Sequence, residues 1–246
     1  MSKIAKIAQI GRFFKTLAAT IPGSFVDTLI LCGRSVCFSN FGEDLVLSRM
    51  FSLPKTGFYV DIGANHPIHG SNTLRLDLAG WRGLAVEPNP DLARKFPRLR
   101  PRCSVVSCGI AANDGKMEYI CFDRHQCNTF DMAMAAISQE RGAREIGRII
   151  VETKPLSRIL EENIGNQHID VMSIDAEGYD FQALISNDWD RWRPSIILIE
   201  DHLPLGASFG SSEIGSYLHD KGYAIVSRVH FTSIFVRLDH AAKLAW

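Results

Sequence analysis

Phe58-Tyr59-Val60-Asp61-Ile62-Gly63-Ala64-Asn65 is an apolar run that stops at an acid and a glycine. Its β-branched and aromatic content predicts a buried strand, and Gly63 permits a tight turn where a Cβ would obstruct a ligand. Ser71 and Asn72 predict the cap of a helix that runs to Gly80. A second apolar run, Gly83 to Val86, then ends at Glu87-Pro88-Asn89-Pro90. A carboxylate at that strand end suits the two hydroxyls of a ribose. Strand, glycine turn, helix, strand and acid, in that order, place a nucleotide-type ligand at the mouth of a parallel sheet.

The text of the turn narrows the ligand. A dinucleotide site requires G-x-G-x-x-G, so that backbone amides and a helix N-terminus meet a pyrophosphate. Here Asn65 stands at the second glycine, followed by His66, Pro67, Ile68 and His69, and Pro67 has no amide to donate. An acid at Asp61 and an amide side chain at Asn65 suit a ligand with an ammonium group and no phosphate, such as S-adenosylmethionine (SAM). An ordinary strand-turn-helix joint is the bland alternative.

Outward from this unit, strands are predicted near 57–62, 83–87, 104–108, 168–174, 195–200, 223–227 and 231–237. Helices are predicted near 42–51, 71–80, 90–96, 155–163, 177–186 and 211–221. Too few residues join the last two strands for a parallel crossover, so they run antiparallel. The expected fold class is α/β, a mostly parallel sheet finished by one antiparallel strand. Between 113 and 153 the alternation breaks: Asn113-Asp114-Gly115 is a turn signal, Lys116 to Phe122 alternates like an edge strand, and the polar remainder reads as a lid-like insertion or a surface loop.

One domain over 39–246 is expected, since 246 residues with 46% hydrophobic content make a single large core. Residues 1–38 form an N-terminal extension. Within it Ile4, Ile7, Ile10, Phe13, Phe14 and Leu17 recur at helical spacing among Lys3, Lys6, Arg12 and Lys15. Such a basic amphipathic helix packs on its own domain or a partner subunit, or lies on a membrane surface through residues 1–20. It lacks the apolar core of a secretory signal, and no stretch reaches the roughly 20 apolar residues of a membrane span. Lys plus Arg and Asp plus Glu are 27 each, so no global field recruits nucleic acid. Six cysteines without a C-x-x-C pair point to a reduced, cytoplasmic chain.

Two further strand ends carry chemistry. Asp175-Ala176-Glu177-Gly178 follows Val171 to Ile174, and Glu200-Asp201-His202 follows Ile196 to Ile199. Ligand crevices of open α/β sheets lie outside the carboxyl ends of the strands, so these acids are expected to converge with Asp61. Asp175 is expected to be functional, because a strand-end acid is costly to bury without a role. Glu177 is expected to open the next helix and cap it. Asp175 and His202 are the candidate general bases, with His66 and His69 as further histidines on the turn. No tight metal-ligand motif such as H-E-x-x-H occurs, and no metal is expected.

Taken in order, Ser39-Asn40-Phe41-Gly42-Glu43-Asp44, Val60 to Asn65, Ser71-Asn72-Thr73, Gly80-Trp81-Arg82-Gly83, Glu87-Pro88 and Ile174 to Gly178 resemble the FkbM-type SAM-dependent methyltransferases. Asn40 stands where that family often has Gln. The resemblance implies a Rossmann-like, seven-stranded class I methyltransferase sheet. It also implies that Asp61, Gly63 and Asn65 surround the methionine part of SAM, that Ser71 and Asp175 join them, that Glu87 holds the ribose, and that Gly109 and Ile110 flank the adenine. Members typically methylate hydroxyl oxygens of sugars or natural products. The expected activity is therefore O-methylation of a glycan, glycolipid or natural product. The alternatives are N-methylation of an amino sugar or small amine, or a non-catalytic SAM-binding scaffold at a membrane. The oligomeric state is left open, a homodimer included.

Overall fold

The computed structural model describes residues 31–32, 35–203 and 210–241, so the expected helix over residues 1–20 lies outside the described residues. A short hairpin, β1 (Leu31–Cys32) and β2 (Ser35–Val36), leads to α1 (Glu43–Met50). The first core unit is β3 (Phe58–Ile62), α2 (Leu74–Ala79) and β4 (Arg82–Val86). Next come α3 (Pro90–Ala93), α4 (Phe96–Leu99), β5 (Cys103–Val106), β6 (Gly109–Ile110) and β7 (Gly115–Phe122). After them come α5 (Met132–Glu140), β8 (Glu145–Lys154), α6 (Leu156–Ile164) and β9 (Val171–Ile174). The chain continues through α7 (Asp180–Ile185), β10 (Ile196–Glu200), α8 (Glu213–Asp220), β11 (Tyr223–Val229) and β12 (Thr232–Arg237).

Seven strands form the main sheet in the order β11-β12-β10-β9-β3-β4-β5. Its inner strands read as continuous apolar runs because both faces are covered. Alternation divides them: Val60, Ile62, Leu84, Val86, Met172, Ile174, Ile197 and Ile199 pack with Ile159 and Leu160 of α6 and Ala183 and Leu184 of α7. Tyr59, Ala85, Val171, Ile196 and Leu198 face Leu47, Leu76, Trp81 and Phe96 on the opposite side. Fully burying one such side chain stabilises by about 1.5–3 kcal/mol.

β3 pairs in parallel with both β4 and β9, so the strand order reverses beside it and the crevice opens there. The one antiparallel strand is the last in the chain, as expected. β12 pairs antiparallel with both β10 and β11 and occupies the position next to the edge. Burial explains the placement: Ile234, Phe235 and Val236 are buried, whereas β11 is largely half-exposed and takes the edge.

A second sheet of order β6-β8-β7 is built from Gly109–Ile110 and the insertion. Only β7 was expected. β8 is a ten-residue strand paired antiparallel with β7, and its charged and exposed positions conceal the strand pattern. Among the described residues no helix is long and apolar enough to cross a membrane. The described thiols Cys37, Cys103, Cys108, Cys121 and Cys127 are free.

Candidate active site

A cavity opens at the carboxyl ends of β3, β4 and β9 and is walled on one side by the insertion. Its floor is the glycine turn. Gly63 adopts φ 70°, and its N–H and that of Ala64 donate to Val86 O at 3.0 and 3.1 Å, tying the turn to β4. A Cβ at Gly63 would lie 1.8 Å from Asp175 O, so the turn and the end of β9 pack backbone to backbone. Asn65 follows at φ 52°; its N–H donates to Glu87 Oε2 at 2.6 Å, while Asn89 N–H donates to Oε1 at 2.7 Å. Glu87 is thus aimed by two main-chain donors and still has lone pairs for ligand hydroxyls. Burial nevertheless pushes its carboxyl up to about 7.

Asp61 lines the cavity, but its carboxylate is engaged from below. Thr73 donates its hydroxyl to Asp61 Oδ2, and Arg100, fully buried, stands 3.9 Å away while donating to Thr73 Oγ1 at 2.8 Å. Arg100 also donates to Pro67 O at 2.6 Å and to Ser71 Oγ. Ser71 in turn accepts from Thr73 N and Leu74 N at the start of the helix, within the cavity wall, while the N-cap position itself falls on Thr73 rather than on Ser71 or Asn72. Arg100 was not foreseen: it sits among Arg98 and Arg102, with nothing local to mark it. The Ser39 to Asp44 segment has a structural reason as well. Asp44 accepts from Ser39 Oγ at 2.8 Å and from Arg75 Nε at 2.9 Å, which sets Asn40 against Gly70 in the cavity wall.

At the end of β9, Asp175 N–H donates to Ile62 O at 3.0 Å, and Asp175 and Glu177 both line the cavity. Asp175 Oδ1 is buried and has no partner, as has Asn65 Oδ1. Burial and the neighbouring Glu200, Glu177, Asp180 and Asp61 hold Asp175 well above the usual carboxylate range. Glu177 does not open the helix as expected. It adopts φ 49°, and the helix starts only at Asp180, whose carboxylate accepts from Ala176 N at 2.8 Å and Gly178 N at 3.2 Å and so holds the preceding turn. Burial, then Glu200 and Asp180, push Glu177 up to about 8.

His202 does not join this group. It is half-exposed, packs on Phe231 with ring centroids 4.8 Å apart, and holds Nε2 3.4 Å from Glu200 Oε2; neither it nor Glu200 forms part of the cavity wall. His66 is committed elsewhere: its Nδ1 accepts from Ile68 N and His69 N at 3.2 and 3.3 Å, and burial drives it down to about 3. His69 lines the cavity and is also lowered by burial. Ile110 is in the wall, whereas Gly109 lies behind it, where a Cβ would meet the Phe130 ring at 2.5 Å. Among the described residues no group of three or more His, Cys, Asp or Glu side chains is arranged to hold a metal ion.

The insertion contributes Tyr119, Gln126, Asn128 and Phe130 to the wall. Tyr119 and Phe130 pack at 4.5 Å, and Phe130 meets Tyr179 edge-on at 5.6 Å, so an aromatic surface faces the acids. Two hydrogen bonds fasten the insertion across the cavity: Asn65 Nδ2 to His125 O at 3.1 Å, and Thr129 Oγ1 to Glu177 O at 2.7 Å.

The raised acids set a pH dependence. A carboxyl whose folded pKa exceeds its unfolded one binds more protons folded, so its stabilising contribution is lost as pH rises through the folded value. Below pH 6.5 the lowered His66, His69 and His125 act oppositely, because the unfolded chain then takes up protons that the fold excludes. Above 6.5 the acids remain, joined by His202, which Glu200 raises and which acts in the same direction. The ligand-free protein is expected to lose thermal stability between pH 6.5 and about 8, through Glu87 and Glu177. Melting curves across that range, with Glu177→Gln flattening the decline, check it; a flat wild-type profile refutes it.

The model of the family described as "Methyltransferase FkbM domain" matches residues 61–225. A search of curated protein sequences finds no match. Similar solved structures include an FkbM methyltransferase from Methylobacillus flagellatus KT, 14% identical, covering 75% of this chain and 45% of that one at a TM-score of 0.46. Another is Aeropyrum pernix fibrillarin with natively bound S-adenosyl-L-methionine, 12% identical, 79% and 72% covered, TM-score 0.45. A TehB-like SAM-dependent methyltransferase from Corynebacterium glutamicum is 12% identical, 96% and 100% covered, TM-score 0.43.

Proposed function

The chain belongs to the FkbM methyltransferase family, and from that premise we propose that it transfers a methyl group from SAM to a hydroxyl oxygen of a sugar, glycolipid or natural product. It is a SAM-dependent enzyme. The observation that carries the site assignment is the charge of the cavity: among the described lining residues are Asp61, Glu87, Asp175 and Glu177, and neither Lys nor Arg. An anionic pyrophosphate finds no cation in such a wall, whereas a cationic cofactor favours the ionised form of its carboxyls.

The residues present fit SAM. Asn65 and Asp175 each turn a buried, unpartnered oxygen toward this region, and Glu87 has carboxylate lone pairs to offer two hydroxyls. Gly63, Asn65, Ser71 and Asp175 would hold the methionine part, Glu87 the ribose, and Ile110 the adenine. When bound, SAM supplies an electrophilic methyl group that needs no further activation. The protein's task is to hold the acceptor in line, worth effective molarities on the order of 10⁵ to 10⁸ M, and to take its proton.

Asp175 is the base that the geometry favours, since it combines a free buried oxygen with a carboxyl raised above the usual carboxylate range, which strengthens it as a proton acceptor once ionised. His202 lies too far outside the wall for that role. The aromatic surface of Tyr119, Phe130 and Tyr179 offers an apolar face to one side of a sugar ring, with Asn128 and Gln126 as hydrogen-bonding partners. The acid-rich wall equally attracts a protonated amine, and N-methylation of an amino sugar is the second possibility.

Incubation with methyl-labelled SAM and hydroxyl-bearing glycan extracts, followed by mass spectrometry of the labelled product, is expected to show an O-methyl ether. Label on nitrogen would establish the second possibility, and SAM binding without any transfer would indicate a scaffold. Asp175→Asn is expected to lower turnover by about 10² to 10⁴. Unchanged turnover in that variant removes Asp175 as the base. Contact of residues 1–20 with an inner membrane face would suit a lipid-linked acceptor.

A further inference from the structure

Resting on the SAM assignment above, we infer that the carboxyl cluster around Asp175 and Glu177 releases a proton when SAM binds and holds it when S-adenosylhomocysteine binds. The protein then distinguishes cofactor from spent product by proton count. The geometry is that of a crowded set of acids without a resident counter-ion. β9 and β10 pair in parallel with Ile174 opposite Ile199, so the next residues, Asp175 and Glu200, stand side by side on adjacent strands, which lie about 4.8 Å apart. Asp175 Oδ1 is buried and unpartnered, and the buried Glu200 Oε2 is met only by His202 Nε2 at 3.4 Å from outside the wall.

The charged groups facing Asp175 are Glu200, Glu177, Asp180 and Asp61, and those facing Glu177 are Glu200 and Asp180. Asp131 approaches the same loop at Gly178, and Thr129 donates to Glu177 O. On the positive side, Arg100 is engaged with Asp61, Thr73, Ser71 and Pro67, and His202 touches Glu200 from outside the wall. Like charges at this spacing cannot all ionise, so the cluster keeps protons near neutral pH. The upward displacement of Glu177 to about 8 and of Asp175 agrees with that arrangement.

A cation brought into the cluster favours the ionised carboxylates and expels a proton. SAM carries a sulfonium where S-adenosylhomocysteine carries a neutral thioether; their amino and carboxylate groups are the same and cancel in the comparison. The balance over a turnover closes. The acceptor's O–H bond breaks and its oxygen forms the O–CH₃ bond, the C–S pair returns to sulfur, and the freed proton enters the carboxylate that ionised on binding. Positive charge at sulfur is thereby exchanged for a proton on the protein.

Calorimetric titration of the purified protein at pH 7 with SAM and with S-adenosylhomocysteine, each in buffers of different ionisation enthalpy, measures the protons released. SAM is expected to release about one proton more, and its affinity relative to S-adenosylhomocysteine to rise with pH by up to about tenfold per unit. Glu177→Gln and Asp175→Asn are each expected to reduce the difference. Binding of both compounds with equal proton release overturns this inference and leaves the cofactor assignment standing. Binding of neither overturns both.

Discussion

Gly63→Ala is expected to remove SAM binding and to destabilise the protein by about 4 kcal/mol or more, the range reserved for strain and clash at a special backbone position. Two terms add. At φ 70° a residue other than glycine is strained by roughly 1–3 kcal/mol. The new Cβ would also lie 1.8 Å from Asp175 O, a main-chain atom that cannot swing aside. Relief requires β3 and β9 to separate at the point where Asp175 N–H bonds Ile62 O. A displacement near 1 Å there misplaces both Asn65 and Asp175 and is expected to weaken cofactor binding on the order of 100-fold even if the chain folds. Chemical denaturation and calorimetry with S-adenosylhomocysteine measure the two effects. A variant with wild-type stability and affinity would show that the turn and the end of β9 do not pack as described.

Arg100→Met is expected to cost about 3–5 kcal/mol, the usual penalty for stranding one partner of a buried charge pair. The side chain is fully buried and reaches Pro67 O, Ser71 Oγ and Thr73 Oγ1, with Asp61 3.9 Å away. Without it, Asp61 loses the cation that opposes its desolvation and Thr73 loses a donor. Asp61→Asn in the same background removes the stranded charge. The double variant is therefore expected to be more stable than the sum of the single effects by about 2 kcal/mol. Strict additivity in urea unfolding would show that Arg100 serves packing alone. The pair also changes what Asp61 does: its charge is answered inside the protein by Arg100.

The inner strands of the main sheet were legible because their side chains are buried on both faces, which leaves uninterrupted runs such as Ile196 to Ile199. Gly63 and Glu87 were legible for the same local reason, each being the first residue after such a run. What the sequence could not show is non-local. Arg100 acts on Asp61 and Ser71, 39 and 29 positions away, and nothing separates it from its arginine neighbours. β8 was hidden because Ile146 and Ile150 face outward while Glu145, Arg148 and Glu152 interrupt the run. Glu177 falls short of the helix because a left-handed residue and Gly178 delay its start by one turn, and single-sequence patterns do not reveal where such a turn falls. His202 was placed inside because alternation along β10 was extended past its end at Glu200.

The two bonds that fasten the insertion differ in kind from the packing around them. One is received by the main-chain oxygen of His125 and the other by that of Glu177, so the side chains at 125 and 177 play no part in either latch. Every residue type has that oxygen. These two attachments therefore make few demands on the insertion's own sequence beyond Thr129, while Tyr119, Gln126, Asn128 and Phe130 line the cavity. Drift elsewhere in the segment can thus reshape that part of the wall without undoing either latch.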